Sequence, residues 1–237
     1  MMKTLFFIFL MASFVVAEHS LIPNIRIGGD ILKNPNFKED NLEESLLYLE
    51  NHIGGDSFLL EANLYELGSS DGKIKPDLNR SLKAYEKLYK QGNPIAAFKI
   101  GMFAWEIKKN PKDIDIDLIK IVKHIDGLDP VVYFKKGSEM NSNYRYRSLT
   151  PLLRKTLGIY IFSELKDYKK TIEIMSDPSV SSSAGAQIYL AFAYYELRNE
   201  KLANFFLNKA CNNLKKGQDI AMFCMDSKAI NRQNMGE

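Results

Sequence analysis

A repeat interval with helical punctuation constrains this chain more than any other feature. Asp40 and Asp77, Tyr48 and Tyr85, and Gly55-Asp56 and Gly92-Asn93 are each 37 residues apart, so three landmarks keep one register. Toward the C-terminus, Leu157-Gly158 and Leu190-Ala191 stand 33 apart, each in a segment that reads as a helix, a short polar turn and a second helix. Behind the capping residue Asp77, the residues Leu78, Leu82, Tyr85 and Tyr89 form one helical apolar stripe that stops at Gln91-Gly92. The next helix starts at Pro94 and carries Phe98, Met102 and Trp105 on one face, with Ala97 and Gly101 permitting close approach. Almost nothing reads as strand. The alternating run Asp113 to Asp117 leads straight into Leu118-Ile119-Lys120-Ile121-Val122, so it is read as an acid-rich helix start. A helix pair cannot bury its apolar face alone, so neighbouring pairs must stack and share a core. The expectation is an all-α fold, an α-α superhelix or solenoid.

Composition narrows the functional classes. The 237 residues are 46% hydrophobic and 26% charged, which excludes disordered, collagenous and polytopic membrane chains. Thirty-two basic against 29 acidic side chains make nucleic acid or an anionic membrane a poor default partner. Three His and two Cys leave little material for a metal centre.

The first residues speak to compartment. Met1 to Ala17 has one basic residue, Lys3, an uncharged stretch from Leu5 to Val16, and a small-residue end at Val15-Val16-Ala17. Those twelve apolar-region residues rise about 18 Å as a helix, short of the roughly 30 Å hydrocarbon core. A signal peptide over residues 1–17 is therefore expected, with a periplasmic or secreted mature protein. Residues 18–38 contain Pro23, Gly28, Gly29, Asn34 and Pro35 without periodicity and read as an extended lead-in.

Gly92-Asn93-Pro94-Ile95-Ala96-Ala97-Phe98-Lys99-Ile100-Gly101-Met102-Phe103 is similar to the opening of the SEL-like repeat, a relative of the tetratricopeptide repeat. Gly72 to Asp77, with Ser81, Tyr85 and Gln91-Gly92, resembles that family's loop and second helix. Leu190, Ala191, Tyr194, Ala203, Leu207 and Ala210 fall at the spacing of tetratricopeptide positions, and Leu157-Gly158 with Asp167-Tyr168 looks like the preceding unit lengthened by one residue. Ser81 in place of the usual Ala, Ala62-Asn63 in place of an apolar-Gly pair, and Asn110-Pro111 in place of a Gly-rich loop depart from the pattern. The resemblance implies SEL-like helices over 39–126, a divergent connection over 127–150 and tetratricopeptide-like or SEL-like helices over 151–237, in a secreted or periplasmic bacterial protein.

Motifs with chemical meaning are sparse. Asp113-x-Asp115-x-Asp117 resembles the start of a calcium loop, but Leu118 and His124 stand where such a loop needs Gly and a bidentate acid. His19, His52 and His124 show no ligand spacing, and no phosphate-cradling glycine loop occurs. Asn143-Tyr144-Arg145-Tyr146-Arg147 interleaves aromatics and cations, yet one short patch reads as loop packing rather than base stacking. Ser163-Glu164-Leu165-Lys166 has the Ser-x-x-Lys spacing of penicillin-interacting enzymes without their other motifs. Cysteine-rich bacterial members of the SEL-like family are associated with penicillin-type ligands, so a β-lactamase-like activity is the alternative reading. Cys211 and Cys224 sit on successive expected helices. A disulfide, resembling the cross-helix pairing of those proteins, and two buried free thiols are both open.

The resemblance implies a non-enzymatic adaptor or assembly factor, without cofactor or metal, that binds a protein or peptide on a curved helical surface and not nucleic acid. In the C-terminal units the inner faces would present Lys155, Ile159, Phe162, Ile188, Phe192, Tyr195 and Glu196.

Overall fold

A computed structural model describes residues 56–68, 74–140 and 149–213. The expected signal peptide, lead-in and first landmarks, the Asn143–Arg147 patch, His19, His52 and Cys224 lie outside these residues. The described residues are all-helical, without a strand. The chain divides into two compact units, Met1–Asp77 and Leu78–Glu237.

In the first unit, α1 (Asp56–Leu67) buries Leu59, Ala62 and Leu64. The N–H of Gly68 closes this helix on Leu64, and the N–H of Asp77 returns to the Tyr65 carbonyl.

The second unit contains α2 (Leu78–Lys90), α3 (Pro94–Lys109), α4 (Ile116–Asp126), α5 (Pro130–Glu139), α6 (Leu149–Tyr160), a π turn (Ile161–Leu165), α7 (Tyr168–Met175), α8 (Ala184–Glu196) and α9 (Glu200–Asn213). Packing follows chain order closely. Helix α3 touches α2, α4, α5 and α6, while α5 packs on α6, α7 on α6 and α8, and α8 on α9.

Local sequence explains the helix boundaries. Asn93 caps α3 by accepting from the N–H groups of Ile95 and Ala96, with Pro94 in the first turn. Asp115 caps α4 through the N–H of Asp117, so the acid-rich run is a turn followed by a helix start. Asp129-Pro130 repeats the device for α5 inside the segment read as a divergent connection. That helix escaped the repeat comparison because Val131 to Glu139 lacks the family's small-residue pattern, although its start signal is plain.

The expected stripe on α2 buries Leu82, Tyr85 and Tyr89 and leaves Leu78 partly exposed. On α3, Phe98 and Trp105 are buried, and the close approach expected at Ala97 and Gly101 is made by α5. A Cβ on Gly101 would lie 2.6 Å from Phe134, and one on Gly137 would lie 2.7 Å from the Ala97 side chain. Each helix thus supplies a glycine to the other, which lets the backbones come together without a void.

Four first helices end in a positive-φ residue soon before the cap of a second helix. The pairs are Gly92 with Asn93, Gly127 with Asp129, Lys166 with Asp167, and Arg198 with Asn199. The caps are 36, 38 and 32 residues apart. Gly92 and Asn93 donate to the carbonyls of Tyr89 and Leu88; Arg198 and Asn199 donate in the same pattern to Tyr195 and Tyr194. Between α6 and α7 the pattern slips, with Lys166 and Asp167 both donating to Ile161. The residue by which this unit is lengthened is absorbed as the π turn.

Candidate interaction surface

The aromatic residues of α6 to α9 define the surface the sequence points to. Phe162, on the π turn, is buried among Tyr168 of α7 and Tyr189 and Phe192 of α8, at ring separations of 5.4, 5.6 and 6.3 Å. Tyr189 meets Phe192 edge-on at 6.2 Å. On the other side of α8, Tyr194 stacks on Phe206 of α9 at 5.6 Å, and Phe206 in turn meets Phe205, which is 56% exposed.

The expected partner-facing residues separate by depth. Ile159, Phe162 and Ile188 are buried core residues, closed to a partner by the chain itself. Lys155 and Phe192 are half-buried, whereas Tyr195, at 61%, and Glu196 are exposed. Phe192, Tyr195 and Glu196 lie one helical turn apart on α8, so they form one accessible patch. Phe192 is the contact between this patch and the Phe162 cluster beneath it. Burial raises the Tyr168 hydroxyl's pKa, and the negative charge of Glu196 raises it further.

The Ser-x-x-Lys spacing does not assemble a catalytic pair. Ser163 sits on the π turn with its Oγ buried and without a hydrogen-bond partner, so Lys166 does not reach it. Lys166 instead leaves the helix in the left-handed region at φ 56° and is exposed. The intervening Glu164 turns the other way and accepts a 3.1 Å bond from Trp105 Nε1. Trp105 also meets Tyr160 edge-on at 5.2 Å, and Lys108 Nζ donates to the Tyr160 hydroxyl.

A second polar cluster joins α2, α4 and α5. The Tyr89 hydroxyl and Lys136 Nζ both donate to Asp126 Oδ2, the latter at 2.7 Å. Tyr133 donates toward the carbonyls of Gly127 and Val122 and accepts from the N–H of Asp126. Burial would raise the Asp126 carboxyl, but the bonds from Lys136 and Tyr89 outweigh it and hold the group below the ordinary carboxylate range. Burial likewise pushes Tyr133 up to about 12. These partners consume one another, so the cluster braces a turn and presents no open chemistry.

His124 is exposed on α4, and no group of three or more metal-ligating side chains occurs among the described residues. None of the described helices is long and apolar enough to cross a membrane. Cys211 is half-buried on α9.

One feature of this region was missed in the sequence. Glu164-Leu165-Lys166-Asp167 and Glu196-Leu197-Arg198-Asn199 are the same pattern 32 residues apart. The landmark pair at 33 residues hid it, because the extra residue in the first unit falls between Leu157 and Glu164. Allowing that single insertion would have revealed it.

Among the described residues, fold and surface together define an all-α chain of consecutive helix hairpins whose α8 and α9 leave aromatic and charged side chains accessible. Comparison with protein-family models, curated proteins and solved structures found no match for this chain.

Proposed function

We propose that this is an exported, non-enzymatic adaptor that binds another protein or peptide on the accessible faces of stacked helix hairpins. In this reading its units are SEL-like or tetratricopeptide-like and wind as a solenoid. Packing that follows chain order supports that arrangement, as do caps recurring at intervals in the thirties. The observation that carries the binding role is the α8 patch, where exposed Tyr195 and Glu196 flank half-buried Phe192. Aromatic side chains of this kind supply large contact area at low entropic cost. Cleavage after Ala17 would place the protein in a periplasmic or secreted setting, where Cys211 and Cys224 would pair.

The test is cross-linking of the tagged protein in its native envelope, with mass-spectrometric identification of what is captured. One reproducible protein partner, lost in the Phe192→Ala/Tyr195→Ala variant whose helical circular dichroism is unchanged, is the expected result. Capture unaffected by the variant, or recovery of the protein alone, would refute the role of this face. Alkylation with and without reduction reports the cysteines, with no alkylation before reduction expected.

A further inference from the structure

The last described hairpin repeats the first in register. Asn93 caps α3, and Asn199 accepts from the N–H of Leu202 at the start of α9. Counted from those caps, Ala97 and Ala104 correspond to Ala203 and Ala210, and all four are buried. Eight and twelve residues past the caps, Gly101 and Trp105 correspond to Leu207 and Cys211. In α3 that flank is where the stack continues. A Cβ on Gly101 would strike Phe134 of α5, and Trp105 meets Phe134 at 6.4 Å and Tyr160 of α6 at 5.2 Å. The matching flank of α9 is half-buried at Leu207 and Cys211, one helical turn apart.

A covalent bond brings the following stretch of chain to this flank. No cysteine is free among the described residues, Cys211 is disulfide-bonded, and the sequence holds one other cysteine, Cys224. A disulfide sets its two Cα atoms about 4.4–6.8 Å apart, and one helical turn separates Cys211 from Leu207 by about 6 Å. Cys224 stands in the uninterrupted apolar run Ile220-Ala221-Met222-Phe223-Cys224-Met225, directly behind Asp219. The same Asp-Ile opening, Asp115-Ile116, starts α4 after α3. Six apolar residues delivered beside a half-buried leucine lose less to water by packing on it than by standing free.

We infer that residues 220–225 are the intramolecular occupant of the α9 flank, with Phe223 and Met225 packed over Leu207. They close the stack on the side where α3 receives α5. With that side taken, a partner is left the α8 patch of Phe192, Tyr195 and Glu196. The inference rests on the cysteine pairing of the proposed function and is independent of partner binding.

Hydroxyl-radical labelling read by mass spectrometry tests this on the full chain purified without reductant. Leu207 is expected to label slowly. Phe223→Asp/Met225→Asp, with the disulfide intact, should speed Leu207 labelling roughly fivefold or more, and Cys224→Ser should do the same. Tyr189 and Leu190 in the core should stay slow in both variants, which separates uncovering from unfolding. Leu207 labelling indifferent to the Asp variant, with Cys211 and Cys224 still paired, would overturn the cover and leave the pairing standing. Free thiols in the native chain, found by alkylation before reduction, would remove pairing and cover together. Protection of Leu207 that disappears on dilution of the wild type would assign the flank to a second copy and overturn the inference as well.

Discussion

Helices α2 to α5 and helices α6 to α9 solve the same packing problem with different tolerance for local cost. In the first group the turns close on Gly92 and Gly127, where positive φ is free of Cβ strain. Its backbones meet through Gly101 and Gly137, and its polar cluster of Tyr89, Asp126, Tyr133 and Lys136 is mutually bonded. In the second group the turns close on Lys166 and Arg198 and a π turn interrupts a helix. Buried unpartnered oxygens and exposed apolar side chains occur in both groups, Asn79 Oδ1 and Ile116 in the first and Ser163 Oγ and Leu165 in the second. Local consistency marks structure, and its repeated violation marks where selection acted on something else. We take α2–α5 as scaffolding and α6–α9 as the half that carries the proposed binding face.

The largest expected effect breaks the scaffolding half. Gly101→Val puts branched carbon where Phe134 already sits and should cost about 3 kcal/mol in urea unfolding, because the two backbones must separate. Next, Tyr133→Phe leaves the turn at Gly127 without its hydroxyl and should cost about 1–2 kcal/mol with the fold retained. In the other half the sign reverses. Lys166→Gly and Arg198→Gly should each stabilise by about 1 kcal/mol in the same assay, since glycine enters the left-handed region without strain. Loss of stability there would mean these side chains have structural partners and would erase the contrast. Ser163→Ala should be neutral or stabilising by under about 1 kcal/mol, because it removes an unpaired buried hydroxyl.

The smallest effect is one of pH. Asp126 is held below its ordinary pKa when folded, so its contribution is present above the unfolded carboxylate value and is lost as pH falls through the folded one. Wild type should therefore lose more stability than Asp126→Asn between pH 5 and lower values, read as a convergence of their urea midpoints. Parallel curves would show that the Lys136 and Tyr89 bonds do not survive in solution.

Much of the helix pattern was legible because capping is a local event. Asn93-Pro94 and Asp129-Pro130 announce helix starts whatever surrounds them, and Leu82, Tyr85 and Tyr89 report burial by spacing alone. Depth was less legible. Periodicity assigns Ile159, Phe162, Ile188, Phe192 and Tyr195 to faces, but how far along each face the neighbours extend depends on helices remote in sequence. The first three are covered, and the last is open.

By itself, then, the sequence determined that the described chain is helical, where most helices begin, that helix pairs recur at intervals in the thirties, and that one unit carries an extra residue. These follow from propensity, caps and apolar spacing, which act within a few residues. Only the tertiary structure decided where that residue went. A π turn places Glu164 against Trp105, 59 positions away, and Lys166 out into water. The reason is packing: an inserted residue must rotate everything after it or bulge, and neighbouring helices choose which.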